Sequence, residues 1–149
     1  MKRRNLLALV GVATTAGCST LPSAFGAPRY AELGVMTIEN HHTEPHTIRV
    51  QVESDGTIVT DRTYELDAYR EGGGPDARDV ECGWADSTGP FVVRARHESS
   101  TDWASLVFED EYDAPELIEL MIRIGGYGPD DDEIRYLRWL QPDEDCPAV

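Results

Sequence analysis

The densest group of potential ligands is the stretch NHHTEPH, where His41, His42 and His46 are three of the four histidines and Glu44 adds a carboxylate. Imidazole nitrogens suit zinc or copper. The spacing argues both ways. His41 and His42 are adjacent, so their side chains diverge on an extended chain. A tight turn at Glu44-Pro45 brings His42 and His46 together. The competing reading, which we favour, is a solvated hairpin loop, and Asn40 and Pro45 fit it equally well.

Other constellations carry less chemistry. A blue-copper site needs a cysteine thiolate with a histidine shortly after it. Cys82 is followed by Gly83-Trp84-Ala85-Asp86 and Cys146 by three residues without histidine, so that site is excluded. His97 falls on the apolar side of an alternating segment and reads as a hydrogen-bonded histidine at the core edge. The run Asp130-Asp131-Asp132-Glu133 lacks the spaced carboxylates of a calcium loop and reads as a solvated turn. No GxSxG, HExxH or phosphate-binding glycine loop occurs, and Gly72–Gly74 lacks a lysine and a following helix. An enzyme is not expected.

The elements that must carry these residues read as strands. In His46–Glu53, Ile48, Val50 and Val52 alternate with Thr47, Arg49, Gln51 and Glu53. Ser54-Asp55-Gly56 is a hairpin turn signal. Thr57–Leu66 then returns, with Ile58, Tyr64 and Leu66 expected to face inward. Leu33–Asn40 is a first strand, with Met36 and Ile38 on one face. Arg78–Ala85 aligns Val80, Cys82 and Trp84, and Phe91–Glu98 aligns Phe91, Val93, Ala95 and His97. Trp103–Glu109 places Leu106 and Phe108 towards the core. Pro115–Gly126 is ambiguous. As a strand it aligns Ile118, Leu120, Ile122 and Ile124; as a helix it aligns Leu117, Leu120, Met121 and Ile124, with Asp113 as cap. We favour the strand, because the isoleucines fall on one alternating face. Glu133–Leu140 is the last strand. Seven or eight short strands in one domain predict an all-β antiparallel sandwich of immunoglobulin-like type, with a small barrel as the alternative. Trp84, Trp103 and Trp139 read as packing residues. An exposed cluster of Trp139, Tyr136 and Tyr127 on the final hairpin would instead point to a protein or glycan interface.

The surface those strands carry is acidic. The 149 residues hold 28 acids against 13 bases, a net charge of −15, and Lys2 is the only lysine. Salt at about 1 M shortens the screening length to about 3 Å, so such repulsion is tolerable in brine. The acids are spread along the chain rather than gathered in one block, which favours a saline environment over one basic partner. With no basic patch to neutralise phosphates, nucleic acid is not an expected partner.

The first residues read as an address. Lys2-Arg3-Arg4 precede an apolar run from Leu6 to about Ala16, which is shorter than the roughly 20 residues a membrane-spanning helix needs. Thr15-Ala16-Gly17-Cys18 resembles a lipobox, and Arg3-Arg4-Asn5-Leu6-Leu7 resembles a twin-arginine export motif. Together they resemble the signals of haloarchaeal twin-arginine lipoproteins, over the first 18 residues only. Lys2 stands where Ser or Thr is usual, which leaves the export route open between twin-arginine and general secretion. The resemblance implies that residues 1–17 are removed and that Cys18 carries a diacyl lipid. Two acyl chains at about 0.8 kcal/mol per buried CH₂ anchor stably. Residues 18–32 would then be a lipidated tether and 33–149 the sandwich domain. Removing residues 1–17 takes away three bases and no acid, which leaves −18.

Export also implies that Cys82 and Cys146 form a disulfide. That bond would close a loop of roughly 64 residues, worth on the order of 4 kcal/mol by loop entropy. The expected protein is therefore a lipid-anchored module on the extracytoplasmic face of a halophile's membrane. Its expected role is non-enzymatic, either interaction with a surface protein or glycan or a structural one. The alternative is an accessory lipoprotein binding zinc or copper at His41, His42 and His46.

Overall fold

The structure is a computed structural model that describes residues 30–87, 89–108, 117–128 and 130–140. The expectations for Met1–Gly17, Cys18 and Cys146 lie outside these residues. Eight strands are formed: β1 (Glu32–Asn40), β2 (His46–Ser54), β3 (Thr57–Leu66), β4 (Asp76–Asp79), β5 (Phe91–His97), β6 (Ala104–Val107), β7 (Leu117–Ile124) and β8 (Ile134–Leu140). They make two four-stranded sheets, ordered β4-β1-β7-β8 and β3-β2-β5-β6. This is an all-β architecture, with no helix among the described residues.

Alternation accounts for the core between the sheets. Ile48, Val50 and Val52 of β2 and Val93 and Ala95 of β5 are fully buried, as are Met36 and Ile38 of β1. In β7 every second residue, Ile118, Leu120, Ile122 and Ile124, is buried, so 117–124 is a strand and not the helical alternative. Period-two burial of β-branched residues on one face decides it. The β2–β3 hairpin closes at Asp55 and Gly56, both at positive φ (47° and 78°), which a tight hairpin demands.

Four expectations need correction. Pairing is not wholly antiparallel: five of the six strand pairs are, but β1 and β7 run parallel. The chain reaches β7 after leaving the other sheet at β6, so no hairpin forces the antiparallel direction. Ile58 is 53% exposed, not inward. A register shift beside Val52 and Glu53 gives β3 one extra residue and turns Ile58 to the outer face. The segment expected as a strand over 78–85 is β4 at 76–79, followed by turns at 83–86. Trp84 still enters the core, where its Nε1 donates to the carbonyls of Leu33 and Gly34 at 2.9 and 3.1 Å. Finally, Ala31 is buried and Glu32 begins β1, so the expected tether overlaps the domain by these two residues.

Candidate functional site

At one end of the sandwich Asn40 organises the loop from β1 to β2. Its side chain is fully buried. Its Nδ2 donates to the carbonyls of Glu44 and Asp67, each at 2.8 Å, and its Oδ1 accepts from the backbone N–H of His42 at 2.9 Å. Both polar atoms of the amide are used, which pins this loop conformation at three backbone groups. That conformation separates the predicted ligands. His41 turns outward to Glu39, with Nε2 2.7 Å from Oε2. His42 turns inward and is buried.

The third imidazole beside His42 and His46 is His97, from the end of β5. His42 Nδ1 lies 2.8 Å from His46 Nε2, and the ring centroids of His46 and His97 are 4.9 Å apart. His97 Nε2 in turn contacts the Asp132 carbonyl at 2.8 Å. Local alternation places His97 at the core edge, as the sequence reading has it. The cross-strand register, which pairs Ile48 with His97, is what brings it to His46.

Burial first, then the neighbouring His97 and His42, lower the pKa of His46 below its ordinary 6.5, against smaller raising effects from Asp132 and Glu44. The group holds its shape with at least one neutral ring, because the His42–His46 contact needs one nitrogen as acceptor. A zinc ion bound to both nitrogens at about 2.0–2.1 Å would have to displace the shared proton and spread that pair. Among the described residues no group of three or more His, Cys, Asp or Glu side chains is arranged to hold a metal ion.

The β7–β8 hairpin presents a second kind of surface. Tyr127 is 73% exposed, Leu140 59% and Trp139 39%. Trp139 Nε1 donates to Glu119 of the neighbouring strand at 3.0 Å, leaving the indole face available. Leu140 follows Trp139 and so lies on the opposite face of β8, whereas Met121 and Leu137, half-buried cross-strand partners, share the outer face of Trp139. Tyr136, expected to join this cluster, points the other way. Its hydroxyl donates to the Ala104 carbonyl at 2.8 Å, and burial raises its pKa.

The outer face of the other sheet is different. There Arg49 clamps Asp61 through two hydrogen bonds of 2.8 and 2.7 Å, Gln51 adds a third, and Arg94 pairs with Glu53. The Arg49 guanidinium holds the Asp61 carboxyl down at about 2. Both outer faces are mixed: paired charges stand beside exposed Ile58 and Val107 on this sheet, whereas on the other the exposed apolar groups include the aromatics Tyr127 and Trp139.

The Asp130–Glu133 run is a braced turn. Asp131 accepts from both terminal nitrogens of Arg135 at 2.9 and 3.0 Å and from the backbone N–H of Tyr127 and Glu133. These bonds, Arg135 foremost, hold its carboxyl at about 2. An open cleft of about 320 Å³ beside β3 is lined by Thr60, Asp61, Arg62, Glu81 and Cys82, among others. Four charged groups at the cleft are engaged in pairs, Asp61 with Arg49 and Arg62 with Glu81. Cys82 is disulfide-bonded, and its partner is outside the described residues.

No protein-family model matches the chain, and no curated protein matches it.

Proposed function

We propose that this chain is a non-enzymatic interaction module, anchored by lipid at Cys18 on the extracytoplasmic face of a membrane in a high-salt environment. The observation that carries the interaction half is the exposed aromatic pair Tyr127 and Trp139 on one hairpin, with half-buried Met121 and Leu137 on the same outer face. On a chain with net charge −15, exposed aromatic groups beside half-buried apolar ones are costly to leave in water, and such patches mark contact surfaces. Trp and Tyr supply large contact area with little conformational freedom to lose. The anchoring half rests on the lipobox resemblance at Thr15–Cys18.

We read the sandwich as immunoglobulin-like. The order β3-β2-β5-β6, with β2–β3 and β5–β6 hairpins and antiparallel β2–β5, resembles the C′-C-F-G arrangement of that fold. The parallel β1–β7 pair is its departure.

Cell fractionation of Cys18→Ser tests the anchor. The variant is expected outside the cytoplasm but released from the membrane fraction. If it stays membrane-bound, the anchor assignment is wrong.

A further inference from the structure

Arg123 and the exposed Arg138 are the arginines of the described residues for which no ion pair or hydrogen bond is found, and of the two only Arg123 is partly buried. Arg49, Arg62, Arg70, Arg78, Arg94 and Arg135 each pair with a carboxylate, and Arg96 reaches backbone carbonyls. Among the described residues Arg123 has no ion pair, and its Nε is buried without a hydrogen-bond partner. Its neighbours explain this. The facing residue on β1 is Glu39, whose carboxylate is held by His41. The facing residue on β8 is Arg135, a like charge whose own demand is met by Asp131 and Glu133. Directly opposed like charges on neighbouring strands are unfavourable.

What holds the pair is Tyr127. The guanidinium carbons of Arg123 and Arg135 lie 5.6 and 4.6 Å from its ring centroid. Each contact is a cation–π attraction, modest at an exposed site. The loop closes over Arg123 at Gly126, where a Cβ would sit 2.3 Å from Arg123 Nη2 and where φ is 107°, a conformation that residues other than glycine rarely adopt. Arg123 is only partly buried, so apart from its covered Nε this planar cation, without a carboxylate of its own among the described residues, is open to one from a partner.

We propose that Arg123 and Tyr127 form a subsite for an acidic side chain of a partner peptide. The proposal rests on the interaction reading above and names its chemistry. A peptide fits better than a glycan, because the face continues from Arg123 to Met121 and Leu137, then to Trp139. At about 3.4 Å per residue these rows lie roughly 7 and 13 Å from the cation. An extended segment with an acid followed by apolar residues two and four positions on would match all three.

The test uses two capped peptides, Glu-Ser-Leu-Ser-Leu and Gln-Ser-Leu-Ser-Leu, titrated at constant high salt while the side-chain Nε–H resonances of the arginines are followed. The glutamate peptide should move the Arg123 resonance and bind about tenfold more tightly than the glutamine peptide. Arg123→Gln should abolish that preference, and Arg138→Gln should retain it. Equal binding of both peptides, binding of neither, or a preference surviving in Arg123→Gln overturns the subsite. Sodium polygalacturonate is the comparison for a glycan source, and its displacing the peptide more strongly than polyglutamate would overturn the choice of a peptide. The interaction reading fails separately, through cross-linking from Trp139 in intact cells.

Discussion

His42 Nδ1 sits 2.8 Å from His46 Nε2, and the ring of His97 lies tilted at 60° to that of His46, with 4.9 Å between centroids. One buried asparagine, one cross-strand register and one loop carbonyl set this arrangement. Its consequence is a pH dependence. The lowered pKa of His46 means that the unfolded chain binds a proton there more readily than the folded one. Stability is therefore full above the ordinary value of 6.5 and falls as pH drops through it, levelling below the folded value. The depressed carboxyls of Asp61 and Asp131 act lower, since their stabilisation is lost as pH falls from 3.8 towards about 2. Thermal melts in concentrated salt should show a decline between pH 7 and pH 5 that His46→Asn flattens. An unchanged slope in His46→Asn would assign that decline to other groups.

Asn40→Ala removes an acceptor for the His42 N–H and the donors to two carbonyls, all at a buried position. We expect a loss of about 2–4 kcal/mol in denaturant unfolding. Collapse of the 41–45 loop should also show as new exposure of His42 to chemical modification. A cost below about 0.5 kcal/mol, the size of an ordinary surface change, would mean that the loop does not depend on the asparagine.

The histidine group is a hydrogen-bonded end cap, so adding zinc or copper should leave the melting temperature unchanged. A ligand bound at 100 times its dissociation constant would add about 2.7 kcal/mol. A stoichiometric rise of that size, lost in His97→Ala but kept in His41→Ala, would favour the metal-binding alternative and identify its ligands.

Cys82 is disulfide-bonded, and we propose Cys146 as its partner. If so, Cys82→Ser and Cys146→Ser should destabilise equally, each by about 4 kcal/mol, and the double variant no further. Additive losses would contradict the pairing.

Much of the fold is legible because period-two burial is a local signal. β2 and β5 can be read within a residue or two from their alternation alone, and β7 once its alternating isoleucines are preferred to the helical alignment. What is not legible depends on pairing between distant segments. Nothing in Leu33–Asn40 or Ile118–Ile124 specifies that they lie parallel, and no local pattern announces the extra residue that turns Ile58 outward. The same limit explains the histidines. Proximity in sequence suggested His41, but the register beside Ile48 supplies His97 instead. The exposure of Trp139 and the burial of Tyr136 follow from which face of β8 meets the other sheet, which only the assembled sandwich fixes.

The interaction surface is most directly tested by a photo-cross-linking residue placed in intact cells at Trp139, and separately at Gln51 on the opposite outer face. We expect a defined cross-linked species from position 139 and none from position 51. Equal labelling from both faces, or labelling from position 51 alone, would contradict the assignment of the β7–β8 face as the contact surface.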